Sequence, residues 1–306
     1  MVTLEGITKT YAGKPAVEDL SLTVPKGSIF GLIGPNGAGK TTTLKMVATL
    51  IKPDRGTLRV NGHDLAKDVK RARSIMGYMP DSFGSFGGLT CEEYLRFFGR
   101  IHGWRSPMLE QRIEAVLDLT DLAGMRDQLA SALSTGMRQR LSLAKTLLHD
   151  PEVLILDEPA SGLDPRARIE IRSLLQELGK MGKTVLISSH ILADLQEICT
   201  AVAIIEVGKV VWSGSLEEGR SALESRRATV DVSEEDAPRA LAAIRSLPSV
   251  EGAEAVRGKI EVKLKGAAGN EILAALIEAR VEVQAWSVDR KDLEDIFLER
   301  TRGIVS

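Results

Sequence analysis

The stretch GPNGAGKT, at 34–41, sets three glycines, a lysine and a threonine at a spacing that could hold a polyphosphate. It fits G-x-x-x-x-G-K-[ST], between an apolar strand pattern, SIFGLI, and a helical one, TTTLKMVATLI. In such a loop Gly34, Pro35, Asn36, Gly37, Ala38 and Gly39 would turn backbone N–H groups inward around an anion at the positive end of the helix. Lys40 would reach the β- and γ-phosphates, Thr41 would offer a hydroxyl to Mg²⁺, and Thr42 would approach the α-phosphate. Two carboxylates end the apolar run VLILDE, at 153–158. Neighbours at a strand end point in different directions, so Asp157 would hold the metal ion through water while Glu158 polarises an attacking water. His190 follows a second apolar run, TVLISS, and would donate to the γ-phosphate. No G-x-G-x-x-G is present, which sets aside a dinucleotide site.

The elements that must place these groups are legible from periodicity. Residues 1–65 alternate as short strands, TLEGITKTY, LSLTVPKGSIFGLIG and GTLRVNG. The helix after the glycine loop should stop near Pro53 and Gly56. Residues 83–150 turn helical, with Thr90 and Glu93 in a T-x-x-E capping box and Pro107 parting two helices. VLILD and TVLISS flank the helix RARIEIRSLLQELGK, which is the βαβ pattern of a buried parallel sheet. Beyond about residue 225 the order becomes strand, helix, two strands, helix, strand, as in a ferredoxin-like split βαβ unit. LEDIFLERT would close the chain as an amphipathic helix with Leu293, Ile296 and Phe297 on one face. Two domains are expected, 1–224 and 225–306.

Composition narrows the setting. With 43% hydrophobic and 27% charged residues and a formal charge of -2, there is no basic excess to favour nucleic acid. Cys91 and Cys199 lie far apart and outside any C-x-x-C, so neither a disulfide framework nor a zinc site is expected, and a reducing compartment fits. MVTLEGITKT lacks the features of a signal peptide, and the longest apolar runs fall short of the ~18 residues of a membrane span.

The glycine loop, the block LSTGMRQRLSLAKTLLHDPEVLILDEPASGLDP at 133–165 and SSH at 188–190 together resemble the ATP-binding subunit of an ATP-binding cassette (ABC) transporter, over roughly residues 1–222. The resemblance implies a P-loop NTPase (RecA-like) α/β core with an antiparallel β subdomain and a helical subdomain, to which the small α+β ferredoxin-like unit is appended. It implies ATP and Mg²⁺ as cofactors and a head-to-tail homodimer, each ATP lying between one copy's phosphate loop and the other's signature. Carried over by residue, Tyr11 would stack on adenine, Ser134 and Gly136 would bind the γ-phosphate in trans, and Asp81 would stand near the metal ion and the lytic water. The helix from about Met137 to His149 would add its dipole, and Ser134 would also serve as its N-cap. Gly162, Leu163 and Asp164 match the loop that crosses the dimer interface.

Three positions depart from the commonest pattern: Thr135 and Met137 stand for glycine and glutamine in the signature, and Asp81 for a glutamine. The donors Ser134 and the Gly136 amide remain, and Lys40, Thr41, Asp157, Glu158 and His190 form a complete set, so an active ATPase is expected. FGSFGGLTCEEYLRFFGR lies where the family receives its partner's coupling helix, although Tyr94, Phe97 and Phe98 also suit a helical core. With the C-terminal appendage, these features resemble the single-cassette, ABC-2-type branch that powers drug, lipid or antibiotic export through a separate integral membrane permease. That places the chain on the cytoplasmic face of the cell membrane, with no nucleic acid expected. Soluble ribosome- or DNA-associated ABC ATPases and a non-catalytic nucleotide-dependent module are the other readings.

Overall fold

The computed structural model describes residues 1–82, 84, 88–216, 218, 225–256, 259–265 and 269–289. The chain divides into two compact units, one of residues 1–216 and one that begins at residue 217.

The first unit opens with the hairpin β1 (Val2–Tyr11) and β2 (Lys14–Val24). Alternation drives Leu20, Leu22 and Val24 inward and leaves their neighbours in solvent. The chain then crosses to a second sheet as β3 (Ile29–Ile33), all five residues of which are buried, as befits a strand covered on both faces. The glycine loop and α1 (Lys40–Val47) follow. β4 (Arg55–Val60) and β5 (His63–Asp64) return to the first sheet, giving the antiparallel order β2-β1-β4-β5.

α1 is shorter than its sequence pattern suggests. Thr49 takes a left-handed φ of 60°, its N–H donates to Met46 O at 3.1 Å, and Leu50 N–H donates to Lys45 O at 2.9 Å. This is a Schellman stop, made here by threonine where glycine is usual, four residues before Pro53.

Next come α2 (Val69–Ile75) and β6 (Met76–Met79), then the helical segment α3 (Cys91–Ile101), α4 (Met108–Leu119) and α5 (Thr135–Leu147). Thr90 and Glu93 make both bonds of the capping box. Arg96 and Arg126 converge on Glu92 and hold its carboxyl down at about 2. Tyr94 is fully buried and Phe98 partly so, in edge contact with each other, while Phe97 is exposed. α5 begins two residues earlier than the sequence pattern indicated, because Ser134 caps it directly.

β7 (Val153–Asp157), α6 (Pro165–Lys180), β8 (Thr184–Ser189), α7 (Leu192–Ile198), β9 (Ala201–Glu206) and β10 (Lys209–Ser215) complete the second sheet, in the order β10-β9-β3-β8-β7-β6. All its pairings are parallel except β9 with β10. One core joins the two sheets through Val17, Leu20, Phe30, Leu44, Ile155 and Leu186.

The second unit runs β11 (Ser225–Val232), α8 (Ala237–Arg245), β12 (Val250–Val256), β13 (Lys259–Lys265), α9 (Gly269–Glu278) and β14 (Val283–Asp289). Its sheet order, β12-β13-β11-β14, interleaves the two βα units as in the split βαβ arrangement. Val230, Ile244, Ile260, Val262, Ile272 and Leu276 form its core. The expected helix at Leu293, Ile296 and Phe297 lies outside the described residues.

Candidate functional site

Three neighbouring parallel strands, β3, β8 and β7, end together: Asp157 pairs with Ser188, and Ser188 and Ser189 pair with Leu32 and Ile33. In an open α/β sheet the crevice beyond the carboxyl ends is where ligands bind. Three loops reach into it, carrying residues 34–39, Glu158 and His190.

Glycine is obligatory at two loop positions. A Cβ on Gly34 would sit 2.2 Å from Ile205 O, and one on Gly39, whose φ is 101°, would sit 2.5 Å from Ala16 O. Gly39 is also the N-cap of α1 and has no side chain to occupy the helix end, so the first-turn N–H groups stay available to an anion. A cavity of about 420 Å³ opens there, lined by Asn36, Gly37, Ala38, Gly39, Lys40, Thr41 and Thr42 together with Ala16, Asp81, Glu158, Ser161 and His190. Gly34 and Pro35 stand behind it, their carbonyls accepting from Lys40 Nζ at 2.7 and 3.1 Å. Burial pushes the Lys40 ammonium below its usual range, opposed by Glu158, 3.8 Å away, and by Asp157.

The acidic side is a chain of hydrogen bonds. Asp157 is fully buried, and its Oδ1 accepts from Thr41 Oγ1 at 3.1 Å and Ser188 Oγ at 2.7 Å. Oδ2 is also buried and accepts no hydrogen bond of normal geometry among the described residues, the likewise buried Tyr78 hydroxyl being the donor that faces this carboxyl. Burial raises the carboxyl above its usual range; the Ser188 and Thr41 bonds oppose that, and the charges of Asp81 and Glu158 add to it. Glu158 turns away from Asp157 because its backbone is left-handed, at φ 50°. Ser188 Oγ accepts from the Glu158 N–H at 3.0 Å and so ties the two acids to β8, while His190 Nδ1 lies 2.7 Å from Glu158 Oε2. Ser188 was missed among the sequence candidates because its only signal was the SSH triplet, read for its histidine.

A second cavity, of about 500 Å³, holds Ser134, Thr135, Gly136 and Met137 of the α5 start beside Gly162, Leu163 and Asp164 of the α6 start. It shares no lining residue with the first. Ser134 Oγ accepts from Met137 N–H at 3.3 Å, and Gly136 lies in the first helical turn. Tyr11 lines neither cavity: it ends β1, half exposed, with Lys9 Nζ 5.8 Å from its ring centre, across the hairpin from the strand that brings Ala16 to the phosphate loop. A third groove, formed by Leu89, Glu93, Arg96, Phe97, Arg100 and Ile101, runs along α3. Among the described residues no helix is long and apolar enough to cross a membrane.

Comparison with known proteins agrees with this geometry. The ABC transporter family model matches residues 17–161, and the model for the C-terminal domain of ATP-binding proteins like DrrA1-3 matches residues 214–301. The daunorubicin/doxorubicin resistance ATP-binding protein DrrA of Streptomyces peucetius is 35% identical over 97% of this chain and 91% of its own. The Nod factor export ATP-binding protein I of Ralstonia nicotianae is 35% identical over 98% and 94%. Among solved structures, an ATP-binding subunit of an ABC transporter is 31% identical, covers 72% of this chain and 92% of its own, and superposes with a TM-score of 0.66. A dimeric ABC transporter cassette in a post-hydrolysis state, bound to ADP and Pi, is 25% identical and covers 71% of this chain and 99% of its own, at a TM-score of 0.65. A glycine loop at a helix start, an acidic strand end and a DrrA1-3-like C-terminal domain in one chain, alike to the two curated relatives over nearly its whole length, mean that it belongs to the ABC transporter family as an ATP-binding ATPase subunit.

Proposed function

We propose that two copies of this chain pack head to tail, bind two ATP molecules between them and power export through a separate integral membrane permease, with the subunits on the cytoplasmic face of the cell membrane. The observation that carries the reading is the meeting of Lys40, Thr41, Asp157, Glu158 and His190 at the ends of β3, β7 and β8. The glycine loop and the signature line separate cavities with no residue in common, which suits a trans arrangement in which each nucleotide meets one of each.

In this mechanism backbone amides at the start of α1 and Lys40 hold the β- and γ-phosphates, and Thr42 lies nearest the α-phosphate. Tyr11 stacks on adenine. Thr41, Asp157 and Asp81 would hold Mg²⁺. Their all-oxygen donor set suits a hard cation, and the unsatisfied Oδ2 of Asp157 is the buried acceptor that such an ion needs. Held there, the ion would supply positive charge against that developing on the phosphate oxygens. Glu158 takes the proton of the attacking water, and His190, hydrogen-bonded to Glu158, steers that carboxylate and donates to the γ-phosphate. Ser134 Oγ and the Gly136 N–H of the second copy close on the same phosphate. Dimer closure converts binding into a stroke, and hydrolysis resets it.

The groove along α3, with Phe97 and Ile101 exposed, would receive the permease's coupling segment. Relatives named for drug resistance and Nod factor export support a drug-, lipid- or antibiotic-like cargo. We also propose two domains, a 1–224 cassette and a 225–306 accessory domain. The test is phosphate release by the purified chain with Mg·ATP, alongside Lys40→Met and co-purification from membranes. Turnover that Lys40→Met lacks, with a polytopic protein retained, supports the reading; no turnover even with the permease supplied overturns it.

A further inference from the structure

The starts of α5 and α6 are built alike. Leu133 and Leu163 are buried, and the next residue, Ser134 or Asp164, caps the helix: Met137 N–H donates to Ser134 Oγ and Ala167 N–H to Asp164 Oδ1. In each case an arginine five residues after the leucine folds back on the leucine carbonyl. Arg138 Nη1 donates to Leu133 O at 2.6 Å, and Arg168 Nε to Leu163 O at 3.0 Å. Both arginines thus bracket the capping residue from behind, and both caps face the signature cavity. The two starts approach closely, since a Cβ on Gly136 would lie 3.0 Å from Ala167 Cβ.

They differ at the first helical position. α6 has Pro165 there, whose ring fixes φ for the helix start. α5 has Thr135, whose Oγ1 accepts a second bond from Arg138, Nη2 to Oγ1 at 3.2 Å. Glycine at 135, as in the commoner signature, would offer neither the ring nor the hydroxyl and would leave the loop its full backbone freedom.

We propose that Thr135 and Arg138 form a positioning pair: the planar guanidinium spans Leu133 O and Thr135 Oγ1 and thereby fixes Ser134 Oγ and the Gly136 N–H for the partner copy's nucleotide. Thr135 is then a working part of this signature. The proposal rests on the head-to-tail reading above and on the trans role of Ser134 in it.

The experiment measures ATP turnover of the purified full-length protein, affinity for a fluorescent ATP analogue, and the melting temperature. Thr135→Val keeps the shape and removes the acceptor; loss of one solvent-exposed hydrogen bond, worth no more than an ordinary one, should lower kcat roughly three- to tenfold, with analogue affinity and melting temperature near the parent's. Thr135→Ser should restore turnover. Arg138→Lys keeps the charge but not the fork, so it should fall like Thr135→Val, and the double variant should fall no further than the single ones. Turnover of Thr135→Val equal to the parent's, or additive losses in the double variant, would overturn the pairing. Ser134→Arg is the control. If it abolishes turnover while Thr135→Val does not alter it, only the pairing is wrong; if Ser134→Arg still turns over, the trans reading and the pairing fall together.

Discussion

His190 Nδ1 and Glu158 Oε2 lie 2.7 Å apart and join the ends of β8 and β7 across the mouth of the phosphate-loop cavity. The contact exists because Glu158 adopts φ 50° and swings its carboxylate out of line with buried Asp157. Glutamine at 158 can still hydrogen-bond His190 but cannot take a proton from water. Glu158→Gln should therefore lower ATP turnover by about 10²- to 10⁴-fold, the range for loss of a general base, while ATP binding persists and a closed homodimer accumulates. Light scattering with and without Mg·ATP reads the dimer; turnover at the parent rate would remove Glu158 from the base role.

Ser188 connects the two acids, donating to Asp157 Oδ1 and accepting from the Glu158 N–H. Ser188→Ala removes both bonds and leaves the amide without its acceptor, a cost of about 1–3 kcal/mol. At about 2–4 °C per kcal/mol for a unit the size of the one that holds Ser188, the melting temperature of that unit should fall by roughly 2–12 °C. Turnover should fall as well, because the Glu158 backbone is no longer tied to β8. Turnover and melting temperature both at the parent's values would show that the bridge is not needed.

Asp157 gives a dependence on pH. Its folded carboxyl is raised, first by burial, so the nucleotide-free protein gains from its protonated form. That stability is present below the ordinary carboxylate range and is lost as pH rises through the raised folded value. Asp157→Asn should therefore melt higher than the parent near neutral pH without nucleotide, and the gap should close in acid. With Mg·ATP the order should reverse if Asp157 holds the ion as proposed, since a charged carboxylate offsets a divalent cation better than a neutral amide. A variant that is less stable at neutral pH without nucleotide would contradict the burial argument.

The phosphate loop, the acidic strand end and the split βαβ order were legible because each is a local pattern: glycines ahead of G-K-T, an apolar run closed by Asp157 and Glu158, and alternation in strands such as KIEVKLK. The early end of α1 was not, because its stop depends on Thr49 adopting a conformation that glycine usually supplies. β6 was also missed, since its four residues are a strand only through their pairing with β7. Ser188 stayed hidden for the same kind of reason, its role resting on partners about 30 residues away at Asp157 and Glu158. Tyr11 marks the opposite limit, a residue read from resemblance that the described cavities leave to one side.

For Tyr11 the proposed role separates base from phosphate. The ring is half exposed at the end of β1 and has Lys9 over it, and a flat exposed aromatic suits stacking on a purine. Stacking of a base on an aromatic side chain contributes about 1–3 kcal/mol, so Tyr11→Ala should weaken ATP affinity roughly 5- to 150-fold. Tyr11→Trp, which keeps a ring, should hold it near the parent's. Inorganic tripolyphosphate uses only the glycine loop and Lys40, so its affinity should be the same in all three proteins. Calorimetric titration with both ligands decides the matter: equal losses for ATP and tripolyphosphate would mean that Tyr11 supports the hairpin beside the loop and does not touch the base.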